Sequence, residues 1–177
     1  KEMRIHIKKN YSHFKLEKIF VFHHRENYFA GTSNLRGSDL STYLPSIKYL
    51  LKKGYGVLRI LHSKSENLSF KNKLYKEINT DLAINKKLQF YLVSKCRGFI
   101  CCDSGPSSMG PLFTTPVYCT NMYGTIVEAV SKKSLFILKK IKLKKKLISY
   151  KKALDLEYFR GFHVTKIYAD KLGFEFI

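Results

Sequence analysis

Acidic residues are scarce in this chain. Only 13 Asp and Glu stand against 33 Lys and Arg among 177 residues, which leaves a formal charge of +20. An imbalance of that size points to an anionic partner or to compositional bias. Arginine is a small part of the basic set, yet base-reading proteins rely on its bidentate contacts. No zinc-finger spacing, RNP-like run or Gly-rich clamp is present. The 12 Tyr and 13 Phe are spread through apolar runs, not lined up as a stacking platform. Specific nucleic-acid binding is therefore not expected. No apolar run approaches the roughly 18–20 residues that span a bilayer. The opening KEMRIHIKKN also lacks the apolar core of a signal peptide. Cysteine is limited to Cys96, Cys101, Cys102 and Cys119, without a paired Cys-x-x-Cys spacing. Neither a metal site nor a disulfide framework is expected. Small buried thiols in a reducing, cytoplasmic setting fit better, with Cys101 and Cys102 on opposite faces of a strand.

What is present suffices for one good core. Hydrophobic residues make up 45% of the chain, which excludes general disorder. The length suits one domain or one half of a larger protein. The chain does not begin with Met, so further sequence before Lys1 is expected.

The richest stretch is CRGFICCDSGPSSMGPLFTTPVYCTN, residues 96–121. Residues 98–102 have the length and apolar continuity of a buried parallel strand. Asp103, Ser104, Gly105, Pro106, Ser107 and Ser108 then form a small-residue turn with helix-start chemistry, and Pro106 is tolerated in a first helical turn. Residues 109–113 supply at most a short helix before Pro116, and residues 117–119 read as the next strand. A strand entering such a turn presents backbone N–H groups and hydroxyls suited to a phosphate. The alternative is a capped connection that binds nothing, because short motifs often match by chance.

A second place of interest follows residues 19–23 (IFVFH), a strand candidate dense in β-branched and aromatic residues. His23, His24, Arg25 and Arg36 cluster beyond its carboxyl end, where an open α/β sheet has its ligand crevice. Arg25 is singled out because a guanidinium matches a pair of phosphate oxygens. Pairing of Arg25 with Glu26 or Asp39 at the surface is the competing reading. The two histidines suit packing or capping better than zinc, which needs three or four ligands.

Elsewhere the pattern is that of alternating strands and helices. Residues 3–7 suggest an edge strand and then a linker. Residues 41–53 carry Leu44, Ile47, Leu50 and Leu51 on one face of a helix, capped by Ser41, Thr42 or an earlier Asp39 and stopped at Gly54. Residues 55–61 read as the next strand, and a strand–helix–strand unit of this length implies a parallel crossover. Residues 62–79 offer at most a short helix near 71–78. Ile84, Leu88, Tyr91 and Leu92 mark a helix that leads into the central strand. Residues 135–138 fit a last short strand, and residues 153–162 and 164–172 suggest helices. The Lys-rich residues 139–152 (KKIKLKKKLISYKK) read as a solvated connection, or as a segment lying on an anionic membrane.

Taken together, HHRENYFAG, NLRGSDLSTYLPSIKYLLKKGYGVLRI and SKCRGFICCDSGPSSMGPLFTTPVYCTN resemble a family of bacterial glycosyltransferases. The resemblance runs over residues 20–139 in order and ends at Leu135 to Lys139. The Asp103-Ser104-Gly105-Pro106-Ser107 turn is similar to the donor-side turn of heptosyltransferase-like GT-B enzymes. The resemblance implies an α/β fold: a Rossmann-like three-layer domain with a mainly parallel sheet, the C-terminal half of a GT-B architecture. It implies an N-terminal edge strand and linker at 1–18, a nucleotide-sugar-binding domain at 19–139 and a basic helical segment at 140–177. An acceptor domain preceding Lys1 would supply the catalytic base. Asp103, Ser104, Gly105, Ser107 and Ser108, with His23 and Arg36, would hold the donor, and Arg25 would neutralise the departing diphosphate. The nucleotide-sugar enters as substrate, with neither metal nor other cofactor expected. A surface glycan or other glycan would be the acceptor, and any peripheral membrane contact would run through residues 139–152.

Three departures stand out. Arg59-Ile60-Leu61-His62 replaces a strand end expected to finish in Gly, Glu26 replaces a commoner Asp, and Gln89 stands where an acid is expected. Glu128 is a further acidic residue able to meet a ribose hydroxyl. A function of another class is a non-catalytic basic module that binds an anionic polymer or membrane.

Overall fold

The computed structural model describes residues 2–26, 37–62, 64–68, 70–122, 133–156 and 173–177. Expectations for Arg36, Glu128 and residues 164–172 lie outside the described residues.

Six parallel strands form the main sheet: β1 (Ile19–Phe22), β2 (Gly56–Leu61), β3 (Tyr75–Asn79), β4 (Gly98–Cys102), β5 (Val117–Met122) and β6 (Leu135–Leu138). Their order is β3-β2-β1-β4-β5-β6. The chain builds outward from β1 in one direction, then returns to place β4 on its other side, with Phe20 opposite both Val57 and Gly98. That reversal between β1 and β4 is the topological switch point of a doubly wound sheet, which leaves a crevice beyond the strands' carboxyl ends. β1, β2 and β4 are buried along their whole length, as their near-continuous apolar runs suggest, with Arg59 of β2 the one charged residue among them.

The two faces of the sheet carry separate cores. On one, Val21, Leu58, Phe99 and Cys101 pack with Leu88, Leu92 and Val93 of α3 (Ala83–Lys95). On the other, Phe20, Phe22, Val57 and Ile100 meet Ile47 and Leu51 of α2 (Leu44–Lys52). The helical reading of residues 41–53 holds. Asp39 is the residue that caps it, its carboxylate accepting from the Ser41 N–H at 2.8 Å, and a 3-10 turn over Leu40–Tyr43 precedes α2. Gly54 adopts φ +77° just past its end.

Three local expectations change. Residues 3–7 belong to a helix, α1 (Glu2–Asn10), not an edge strand. Met3, Ile7 and Tyr11 recur four apart and form a stripe against the α3-side core, a pairing a strand would have scattered. Around residues 71–78 the chain forms β3 instead of a short helix, because Tyr75 to Asn79 pair in parallel with Val57 to Leu61. Residues 139–152 are not a connection. They form β7 (Ile141–Leu143) and β8 (Lys146–Ile148), joined at Lys144 and Lys145, which both adopt positive φ. The hairpin gains a third strand, β9 (Phe174–Phe176), beside β7. Alternation of Ile141 and Leu143 with lysines is a strand pattern, and Ile141 is fully buried. α5 (Tyr150–Asp155) follows, overlapping the helix expected from residue 153. No described helix is long and apolar enough to cross a membrane.

Candidate functional site

β1 ends at Phe22, and the next four residues run over the carboxyl edge of the sheet. His23 donates its N–H to the Ile100 carbonyl of β4 at 2.9 Å, and its ring Nδ1 lies 3.4 Å from the Ile60 carbonyl of β2. Arg25 then donates its backbone N–H to the Cys102 thiol at 2.9 Å, and its carbonyl accepts from the Ser38 N–H at 3.1 Å. Residue 25 is thus fastened to the last residue of β4. Asp103 and the Ser/Gly turn begin one residue further on. The two stretches singled out in the sequence meet at the switch point.

The turn is more self-contained than its hydroxyls suggest. Ser104 is buried, and its Oγ donates to the Cys102 carbonyl at 3.2 Å. The Ser107 hydroxyl donates to the Ser104 carbonyl at 2.6 Å, and the Ser107 N–H bonds the same oxygen at 3.0 Å. Gly105 and Ser108 are exposed, and a Cβ on Gly105 would meet nothing within 4 Å. The following helical segment is short, a 3-10 turn over Gly105–Ser108 and then α4 (Met109–Leu112). Its dipole is correspondingly small, so the turn's chemistry rests on backbone groups and on the exposed Ser108.

Both histidines are buried and neutral. Burial pushes His23 down to about 4, helped by the neighbouring His62, Arg59 and Arg25 charges. His24 is pushed down to about 3 by burial and then by the Arg59 guanidinium. Its ring stacks on Phe22 at 6.1 Å between centroids.

Arg59 is the one charged residue of β2. It is fully buried in the middle of an apolar strand. Its Nη1 donates to Glu77 Oε1 at 2.8 Å and to the Glu66 carbonyl at 2.6 Å. Its Nη2 lies 3.4 Å from Glu26 Oε1 and 3.5 Å from His24 Nδ1, while its Nε has no hydrogen-bond partner. Glu26 therefore pairs with Arg59, at the point where the sequence alone had offered it to Arg25. A charge removed from water must be matched, and a lone Arg in GVLRIL was the signal for this cluster. Glu77 also accepts from the Tyr75 hydroxyl at 2.7 Å and from the Leu68 N–H at 2.8 Å.

The far wall of the crevice comes from β5 and β6. Asn121 adopts φ +57°, beside an irregularity in the β5–β6 pairing, and donates to the Tyr43 hydroxyl at 3.1 Å. Tyr43 also shares a 3.1 Å bond with the Ser38 hydroxyl, and burial pushes its phenol up to about 12. Lys139, at the end of β6, donates to the Gly37 carbonyl at 2.6 Å. Nothing in the sequence spacing links Tyr43 to Asn121 or Lys139 to Gly37, since only the sheet order brings them together. No group of three or more His, Cys, Asp or Glu among the described residues is placed to hold a metal ion.

The architecture is that of a Rossmann-like α/β domain with its crevice at the switch point, and solved structures share it. E. coli ADP-heptose LPS heptosyltransferase II aligns with 82% of this chain at 12% identity and a TM-score of 0.58. The glycosyl transferase family 9 structure from Veillonella parvula DSM 2008 aligns with 94% at 11% identity and a TM-score of 0.56. At these identities the likeness is one of fold. The expected GT-B-like neighbourhood is the one found. The chain spans 45% of the length of either structure. No protein-family model and no curated protein matches the sequence.

Proposed function

We propose that this chain is the donor-binding half of a glycosyltransferase that moves a sugar from a nucleotide-sugar to a glycan acceptor. The observation that carries the reading is the 2.9 Å bond from the Arg25 N–H to Cys102, which sets Arg25 beside the Asp103–Ser108 turn at the switch point. The fold shared with two glycosyltransferases supports it.

Backbone N–H groups of the turn, with the exposed Ser108, bind the donor diphosphate, while Ser107 braces the turn through the Ser104 carbonyl. The Arg25 guanidinium faces the charge that grows on the nucleoside diphosphate as the anomeric carbon is displaced. Stabilisation of that leaving group is electrostatic, and fixed donors achieve it without reorganisation. His23 remains neutral at physiological pH and shapes the floor of the crevice. The site for the glycan acceptor and the base that deprotonates it come from the remainder of a two-domain protein acting at the cytoplasmic face of a membrane.

Titration of UDP, GDP, ADP and CMP into the chain at fixed salt tests this. One nucleoside diphosphate should bind at millimolar affinity or better. Arg25→Ala should weaken it about tenfold or more, since hydrogen bonds to charged groups are worth roughly 1.5–3 kcal/mol. Ser104→Ala, which loosens the turn, should weaken it as well. Unchanged binding in both variants refutes the site. Equal, steeply salt-dependent binding of every polyanion would instead favour a basic binding module.

A further inference from the structure

Lys139 belongs to the Lys-rich stretch by sequence but not by position. Its neighbours Lys144, Lys145 and Lys146 are exposed on the β7–β8 hairpin. Lys139 is half-buried and turns back over the sheet's carboxyl edge to Gly37, next to Ser38, whose N–H bonds the Arg25 carbonyl. The Lys139 ammonium is therefore led from β6 to the segment that lies against Arg25. Burial pushes its pKa down, and the charge of Asp103, the first residue of the Ser/Gly turn, works against that. An ammonium has three N–H donors, and among the described residues one hydrogen bond is made, to Gly37. An ammonium with donors beyond that one bond, at the crevice edge, can also serve an anion that arrives from outside.

We propose that Lys139 is a second cation for a bound diphosphate, reaching it from the β6 side of the crevice while Arg25 reaches it from the β1 side. This rests on the donor-site reading and adds a selectivity. Two cations led in from opposite walls suit a ligand with two phosphoryl groups and are only half used by one. Charge and hydrogen bonding, not side-chain shape, do the work, so arginine can replace Lys139.

The test is calorimetric titration of the whole chain with inorganic pyrophosphate, orthophosphate and the four nucleotides at fixed salt. Lys139→Gln should weaken pyrophosphate and nucleoside diphosphate binding about tenfold, and orthophosphate binding no more than about threefold. Lys146→Ala removes the same unit of charge from an exposed hairpin position and should change neither by more than about twofold. Lys139→Arg should stay within about threefold of the parent. Equal small effects of Lys139→Gln and Lys146→Ala would overturn the assignment, as would equal loss of orthophosphate and pyrophosphate in Lys139→Gln. Failure of Lys139→Arg to retain binding would also overturn it. Binding that persists in Lys139→Gln yet falls in Arg25→Ala removes Lys139 alone. No binding of pyrophosphate or any nucleoside diphosphate by the parent removes the donor site and Lys139 with it.

Discussion

Arg59→Met is the substitution with the largest consequence worked out from the structure. The guanidinium is fully buried and bonds Glu77 at 2.8 Å and the Glu66 carbonyl at 2.6 Å, with Glu26 and His24 at 3.4 and 3.5 Å. Methionine fills much of the volume but leaves the Glu77 and Glu26 carboxylates, 19% and 11% exposed, without a counter-charge. Removing one partner of a buried ion pair costs about 3–5 kcal/mol. The unpartnered Nε is also removed, which places the expected loss near the lower end, about 3 kcal/mol. For a domain of this size 1 kcal/mol shifts Tm by roughly 2–4 °C, so the melt should fall by about 10 °C. Urea unfolding should show a lower midpoint with an unchanged slope, the mark of altered stability in a two-state transition. Adding Glu77→Gln to Arg59→Met removes a stranded charge and should recover at least ~1 kcal/mol, although the Tyr75 and Leu68 bonds to that side chain weaken. A loss under ~1 kcal/mol, or no recovery in the double variant, would refute the reasoning.

Stability should fall in acid because of the histidines. His23 and His24 have folded pKa values of about 4 and about 3, below the ordinary 6.5. The unfolded chain therefore binds more protons between those limits, and stability present above pH 6.5 is lost as pH falls toward 4. At 1.36 kcal/mol per unit, roughly 2–3 kcal/mol per histidine should disappear between about pH 7 and 4.5. Urea midpoints across that range check it, and a flat profile would contradict the burial of both rings. Gly110→Ala would put a Cβ 2.1 Å from Val117 Cγ2, a buried branched side chain, and should cost about 1–3 kcal/mol. Val117→Ala in the same chain should return part of that, whereas a neutral Gly110→Ala would show that the α4–β5 connection can shift.

Much of the sheet was legible because parallel strands buried on both faces write themselves as apolar runs. IFVF, GVLRIL and GFICC each became the strand expected, and the spacing of Ile47 and Leu51 gave α2. Weakly patterned edges were not legible. Tyr75 to Asn79 is an edge strand with Lys76 exposed, and in its register Glu77 lies opposite Arg59 and bonds it, a pairing that the sequence does not announce. The first helix was hidden by its low amphipathicity, with the apolar Ile5 left in solvent. At the site, Arg25 and the Ser/Gly turn were marked by local chemistry, the turn by its small residues and Arg25 by its place after a strand. Tyr43, Asn121 and Lys139 come from β-strand ends and a helix start far apart in the chain, and only the strand order joins them. The serine hydroxyls of the turn were overvalued for the same reason. Their backbone partners, the Cys102 and Ser104 carbonyls, are visible only once the turn is folded.

The central claim is a location, so it is best tested by mapping. Amide chemical-shift changes of the labelled chain should be followed while the best-binding nucleoside diphosphate is added. The account predicts changes concentrated at His23 to Glu26, Asp103 to Ser108, Asn121 and Lys139, all at the carboxyl edge of the main sheet. A cleft at the opposite edge, lined by His13, Lys15, Lys18 and Gly56, offers a basic surface with no such topology. Changes confined to that cleft, or spread evenly over the exposed lysines, would contradict the account.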